Sequence, residues 1–229
     1  MSSKKLLSHS ELDWSTTVAN NAMNRERNAS GPNSYAQDLG FNPIDFLADR
    51  ANSGDACWVD LCCGQGKALI QTAAWFRTRP SRHQVQLEGV DLVPYFATQP
   101  SPPLQLTVSS LRDWEPAPPY DLITLVHGLH YVGDKLGVIQ KCLELLSPDG
   151  LFVAHLDWAN ILVDGEPVTS ALHKSWLQQG LEFDTRRHLL QRTGPMLFRH
   201  NLIYQGADDQ AGPNFTGQPV VHSCYRTKA

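Results

Sequence analysis

The chain has 229 residues, 41% of them hydrophobic, enough to bury a full core, and no apolar run long enough to cross a bilayer. Its 19 Lys plus Arg stand against 23 Asp plus Glu, and the resulting net charge of -4 disfavours nucleic acid as a partner because it repels a phosphate backbone. Five cysteines, with Cys62 and Cys63 adjacent, fit reduced thiols in a cytoplasmic protein, and with no CxxC or HExxH spacing no metal site is expected.

The opening Met1 to Leu12 mixes Lys, Ser, His and Glu and has no apolar stretch of the signal-peptide kind. Residues 1–41 are polar and rich in Asn and Ser; they predict a helix from Leu6 to Arg27 and a turn at Gly31-Pro32-Asn33-Ser34, together an arm or lid. Residues 42–229 are expected to form one domain. Asn42 caps a helix with Pro43 at its first position, ending near Gly54. Cys57 to Leu61 then predicts a buried strand, and Lys67 to Arg79 a helix with Leu69, Ile70, Ala73, Ala74 and Phe76 at helical spacing.

Further strands are expected at Val85 to Leu92, Leu104 to Val108, Tyr120 to Val126 and Leu151 to Leu156, with a helix at about Asp134 to Leu146. Two proline clusters, around Pro100 to Pro103 and Pro116 to Pro119, mark loops on either side of one short strand. Runs such as Leu122 to Val126 suit strands covered on both faces, so the architecture is an α/β fold with an open, mostly parallel sheet. After a helix near Thr169 to Gln178, strand candidates at Arg187 to Arg192, Leu197 to Tyr204 and Pro219 to Tyr225 are expected to be C-terminal antiparallel strands.

The stretch Val59-Asp60-Leu61-Cys62-Cys63-Gly64-Gln65-Gly66 joins a strand to a helix, and Gly89-Val90-Asp91 closes the next strand. Glycines in such a turn let backbone approach a ligand, and the helix N-terminus offers N–H groups to an anion. A carboxylate at the second strand's tip can accept both hydroxyls of a ribose. A dinucleotide fingerprint fails because Lys67-Ala68-Leu69 follows with no third Gly, and a P-loop fails because Leu61 stands five residues before Gly66 and Ala68 follows Lys67.

This pattern resembles the class I S-adenosylmethionine-dependent methyltransferases. Asp60, Cys63, Gly64 and Gly66 match the family's first motif, with Cys62 replacing its first glycine, and Gly89-Val90-Asp91 looks like the second. Tyr120-Asp121-Leu122-Ile123 resembles the fourth-strand opening and Leu146-Ser147-Pro148-Asp149-Gly150-Leu151 the turn before the fifth strand. The resemblance implies a Rossmann-like fold, S-adenosylmethionine as methyl donor, S-adenosylhomocysteine as product and a small-molecule acceptor. It implies cofactor contacts from Asp60, Cys62, Cys63, Gly64, Gly66, Asp91, Leu92 and His127. Where the family often sets an acidic residue against the adenine this chain has Ser109-Ser110-Leu111, so Ser110 or the Leu111 backbone is expected to serve. Gly128 to Val132 looks like the loop bordering the transferred methyl group.

His130 is the catalytic candidate, since a His with its ordinary pKa of ~6.5 can take a proton from a nucleophile; a structural His at a strand end is the plainer alternative. Tyr35, Tyr131, Asp157 and Trp158 are acceptor-site candidates, though Asp157 serves equally well as a helix cap and Trp158, like Trp14 and Trp114, as core or rim. The loop from Gly206 to Asn214, with its two adjacent carboxylates, is expected to be a turn rather than a metal site. A protein or RNA acceptor, a binding protein without catalysis, and a homodimer stay open at this point.

Overall fold

The computed structural model describes residues 5–19, 26–79, 82–117, 119–215 and 217–228. Pro118 of the second proline cluster and residues 20–25 of the expected first helix lie outside them. The order is α1 (His9–Asp13), α2 (Tyr35–Leu39), α3 (Pro43–Ala51), β1 (Ala56–Leu61), α4 (Lys67–Thr78), β2 (Val85–Asp91), β3 (Leu104–Val108) and β4 (Tyr120–Leu125). There follow α5 (Lys135–Glu144), β5 (Leu146–His155), β6 (Ile161–Val163), β7 (Glu166–Pro167), α6 (Ser170–Leu177), β8 (Glu182–Asp184), β9 (Leu189–Thr193), β10 (Leu202–Asp208) and β11 (His222–Thr227). Short 3₁₀ turns stand at Gly128–Tyr131 and Trp158–Asn160.

The main sheet has seven strands in the order β3-β2-β1-β4-β5-β9-β8. The first five are mutually parallel, and β9 and β8 join as antiparallel edge strands. Strand order reverses between β1 and β4, the topological switch point at which ligands bind in Rossmann-like sheets. The central strands are apolar because both faces are covered: Val59 and Ile123 sit in one core cluster with Leu136, Ile139 and Leu143, while Trp58 and Leu122 sit in the other with Leu47, Leu69 and Ala73.

Among the described residues of the helix expected from Leu6 to Arg27, only the five of α1 are helical, started by a capping box between Ser8 and Glu11. The β-branched Thr16-Thr17-Val18 that follow hold turns instead, as their stiff side chains disfavour helix. The fifth strand begins at Leu146, earlier than its apolar run suggested, with a register shift against β4 between Tyr120 and Leu122. The strand expected at Leu197 to Tyr204 forms later, as β10, because Phe198 spends its apolar surface against Trp176 while Leu197 stays exposed.

The C-terminal strands do not simply extend the main sheet. β10 and β11 pair antiparallel in a second, four-stranded sheet, where β11 runs parallel to β6 and β7 closes the edge. This sheet carries the N-terminal segment: Leu7 and Ala207 exchange backbone hydrogen bonds of 2.8 and 3.0 Å, and Leu12 packs on Ala207 and Val221. It is strapped to the start of α5 by Lys135, whose wholly buried Nζ donates to Val132 O (2.9 Å), Val221 O (2.6 Å) and Ser223 Oγ (3.2 Å). Burial pulls its ammonium down to about 7. Lys135→Met should therefore lower the unfolding free energy by about 1–3 kcal/mol, the penalty for acceptors left without a donor, read from the urea midpoint at unchanged slope.

Candidate active site

At the carboxyl end of β1 the chain turns through three left-handed residues, Cys62 (φ 57), Gly64 (φ 59) and Gly66 (φ 72), and Gly66 caps α4 without help from any side chain. A cysteine in the left-handed region carries a steric cost that glycine would avoid. Its Cβ is accommodated only because residue 128 is glycine: a Cβ there would stand 2.6 Å from that of Cys62. Beneath the turn, Gly89 lets α4 settle onto β2, since a Cβ at 89 would meet Leu69 and Leu106 at 2.7 Å.

Asp91 staples the turn to the end of β2. Its Oδ2 accepts from Gly64 N (2.8 Å) and its Oδ1 from Val93 N (3.0 Å), so the carboxylate is fixed by backbone on both sides. Asp60, two residues before Cys62, is wholly buried. Its Oδ1 accepts from Thr124 Oγ1 (2.6 Å) and its Oδ2 from the Tyr35 hydroxyl (2.8 Å), while Thr124 Oγ1 accepts in turn from Trp58 Nε1 (2.9 Å). Burial pushes the Asp60 carboxyl up to about 7 against the pull of these two hydroxyls.

After β4 the backbone turns at His127 (φ 61) into the 3₁₀ segment that carries His130 and Tyr131. Imidazoles gather here: His127 stacks on His155 at 4.0 Å between ring centroids, and His130 lies 6.0 Å from His127 and edge-on to Phe215 at 5.4 Å. His130 is 1% exposed, both of its ring nitrogens lack a hydrogen-bond partner among the described residues, and its backbone oxygen accepts from Val221 N at 2.9 Å. Burial first, then the neighbouring cations and imidazoles, lower His130 to about 3; burial likewise holds His127 at about 4 and His155 at about 2. The ordinary pKa expected of His130 is thus displaced downward, because the side chain is shut away from water.

These parts meet in one cavity of about 740 Å³, within the range of small-molecule sites. Of the residues singled out by sequence, Tyr35, Cys62, Cys63, Gly64, Asp91, Leu92, Ser110, Leu111, His127, His130 and Tyr131 line it. Asp60 and Gly66 support the turn from behind and do not line it. Asp157 caps the 3₁₀ turn after β5, accepting from Ala159 N at 3.0 Å, and Trp158 packs among His173, Trp176 and Phe183, both away from the cavity. Trp114 is buried with its indole donating to Glu88, and Trp14 is 87% exposed. The Gly206–Asn214 segment forms the end of β10 and a turn in which Asp208 accepts from Gln210 N.

His9, Leu12, Asp13, Val18 and Arg27, all from the N-terminal segment, line the cavity from above. Sequence reading expected an arm or lid over residues 1–41 but named none of these as its lining residues. No periodicity marks them, because they are spread over the short α1 and the irregular residues beyond it, and are held by contacts distant in sequence such as Leu12 on Ala207 and Val221.

The neutral histidines make a measurable prediction. In the unfolded chain each titrates near ~6.5, so between about pH 6.5 and 4 the unfolded state binds more protons at His127, His130 and His155, and stability falls as pH falls, each contributing up to ~1.4 kcal/mol per pH unit. Asp60 works the other way, binding its proton in the folded state below about 7, but it is one group against three. Urea midpoints should therefore drop steeply from pH 6.5 to 4.5, and His155→Phe should flatten the slope.

A sequence model of the family described as "Methyltransferase domain" matches residues 33–197. No curated protein matches the chain. Among solved structures it is similar to the plantazolicin methyltransferase BpumL in complex with a monoazolic desmethylPZN analog and SAH, at 17% identity and a TM-score of 0.37, over 43% of this chain and 38% of that one. It is also similar to coclaurine N-methyltransferase bound to N-methylheliamine and SAH (22%, TM-score 0.36, 48% and 34%). A third likeness is to the N-methyltransferase NodS of Bradyrhizobium japonicum WM9 in complex with S-adenosyl-l-homocysteine (16%, TM-score 0.42, 73% and 94%). The chain thus spans less than half the length of the first two of these structures. The family match covers well over half of the chain, from the turn before α2 to beyond β9, and the chain belongs to the methyltransferase-domain family.

Proposed function

We propose that this protein is an S-adenosylmethionine-dependent methyltransferase acting on an oxygen or nitrogen atom of a small molecule. The observation that carries the reading is one cavity at the switch point, which joins the glycine turn, the Asp91 carboxylate, the Ser109–Leu111 loop and the His127–Tyr131 turn. The residues fit the donor. Cys62, Cys63, Gly64 and the N-terminus of α4 suit its anionic amino-acid end, Asp91 its ribose hydroxyls, and Leu92, Val93 and Leu111 the flat apolar faces of its adenine.

Bound S-adenosylmethionine supplies a methyl group already activated by a sulfonium, so the protein's part is positioning and exclusion of water. The cavity volume leaves room beside a nucleoside for a small acceptor, roofed by Leu12 and Val18. His130 offers a neutral imidazole whose two nitrogens have no partner among the described residues, and an O–H or N–H of the acceptor is the group that would satisfy one of them. Held at about 3, that imidazole orients the nucleophile through its lone pair better than it retains a proton.

Two outcomes test this. Asp91→Asn, checked for folding by near-ultraviolet circular dichroism, should weaken S-adenosylhomocysteine binding at least ~10-fold, whereas His130→Ala should bind it as the parent does and lose most of its turnover. Once an acceptor is in hand, kcat should run flat through pH 6.5. A limb at that pH that vanishes in His130→Gln would contradict the buried, neutral imidazole.

A further inference from the structure

The cavity contains a cation that the glycine-turn motif does not explain. Among the described residues three non-histidine cations line it: Arg27, Arg112 and Lys141. Arg112 is spent on its neighbour, with Nε and one terminal nitrogen both 2.8 Å from the Asp113 carboxylate. Lys141 donates to Trp114 O (2.7 Å) and Leu111 O (3.2 Å) and lies over the Trp114 ring. Arg27 differs: its Nε donates to Asp38 Oδ2 at 2.8 Å, and among the described residues its two terminal nitrogens make no hydrogen bond.

Its place is fixed from both sides. The preceding residue, Glu26, accepts from Gln65 Nε2 (3.3 Å) and pairs with Lys67 Nζ (3.1 Å), so the chain crosses directly over the glycine turn and the first residue of α4. On the other side Asn28 bridges to Ser34, next to Tyr35, and Ser30 N donates to the Gln71 side chain on α4. Asp38, which anchors Nε, also stands 3.9 Å from His127 Nε2 on the far wall. A guanidinium held through Nε alone, on a residue that lines the cavity beside a helix N-terminus, is arranged for a planar anion.

We infer that Arg27 is a cofactor-binding residue that clamps the carboxylate of the donor's amino-acid end, closing over it from the N-terminal segment while the glycine turn holds it from below. The inference rests on the cofactor reading above and adds to it a residue outside the family match, which begins at residue 33. A guanidinium makes two parallel hydrogen bonds to a carboxylate where a lysine makes a point contact. Salt-bridged Asp38 serves as the positioning residue that aims it.

The test is a pair of ligands that differ in that carboxylate. S-Adenosylhomocysteine carries the amino-acid end; 5′-methylthioadenosine keeps the nucleoside and the thioether and lacks it. In Arg27→Met the dissociation constant for S-adenosylhomocysteine should rise at least ~10-fold while that for 5′-methylthioadenosine stays within ~2-fold, and Arg27→Lys should fall between. Equal weakening of both ligands would mean that the substitution merely loosens the roof, and no weakening of either would place the carboxylate elsewhere; each overturns the assignment. Failure of the parent protein to bind either ligand would overturn the cofactor reading itself, an outcome distinct from the other two.

Discussion

Asp60, one residue before the end of β1, carries a carboxylate wholly removed from water, and a buried polar group of that kind is tolerated only where donors replace the water it lost. Its two donors come from different parts of the chain. Thr124 reaches across from β4, itself oriented by the Trp58 indole, and Tyr35 reaches down from α2 in the N-terminal third. One carboxylate thus ties the two strands at the switch point to the segment that crosses above them. The turn that follows Asp60 inherits its position from this arrangement, and Asp91 completes it by fixing Gly64 to the end of β2.

The second sheet solves a different problem, that of holding the far wall. The 3₁₀ turn carrying His130 is short and has no side-chain cap, yet its backbone is tied to Val221, and Lys135 draws together Val132, Val221 and Ser223 just below. The same sheet docks the N-terminal segment through Leu7 and Ala207. Roof and far wall of the cavity therefore share one support, so that loosening the β10–β11 pair loosens both. The His130 imidazole in that wall, neutral and without a hydrogen-bond partner among the described residues, costs stability.

Most of the main sheet was legible from sequence, because its strands are buried on both faces and its helices carry clear caps. Leu104 to Val108 was bounded as it forms, and Asn42-Pro43 starts α3 as its chemistry requires. The turn was legible too: three left-handed residues in a run of five leave few alternatives to glycine, and the one exception, Cys62, is matched by Gly128. What sequence hid depended on tertiary contact. Of the helix expected from Leu6 to Arg27, the described residues form only α1, whose one buried residue, Leu12, packs on Ala207 and Val221, contacts that no local pattern announces. Trp158 was placed near the acceptor by its position after β5, but the chain turns it into the cluster with Trp176. Arg27 carried no signal, since a residue used through a single ion pair and a long approach in space leaves no spacing to read.

The most direct measurement is the crystal structure of the protein with S-adenosylhomocysteine. The account places the ribose against Asp91, the adenine along Leu92 and Leu111, and the amino-acid end over the Cys62–Gly64 turn, with the sulfur facing the His127–Tyr131 wall. Ligand bound in any other orientation, or bound outside this cavity, would contradict it.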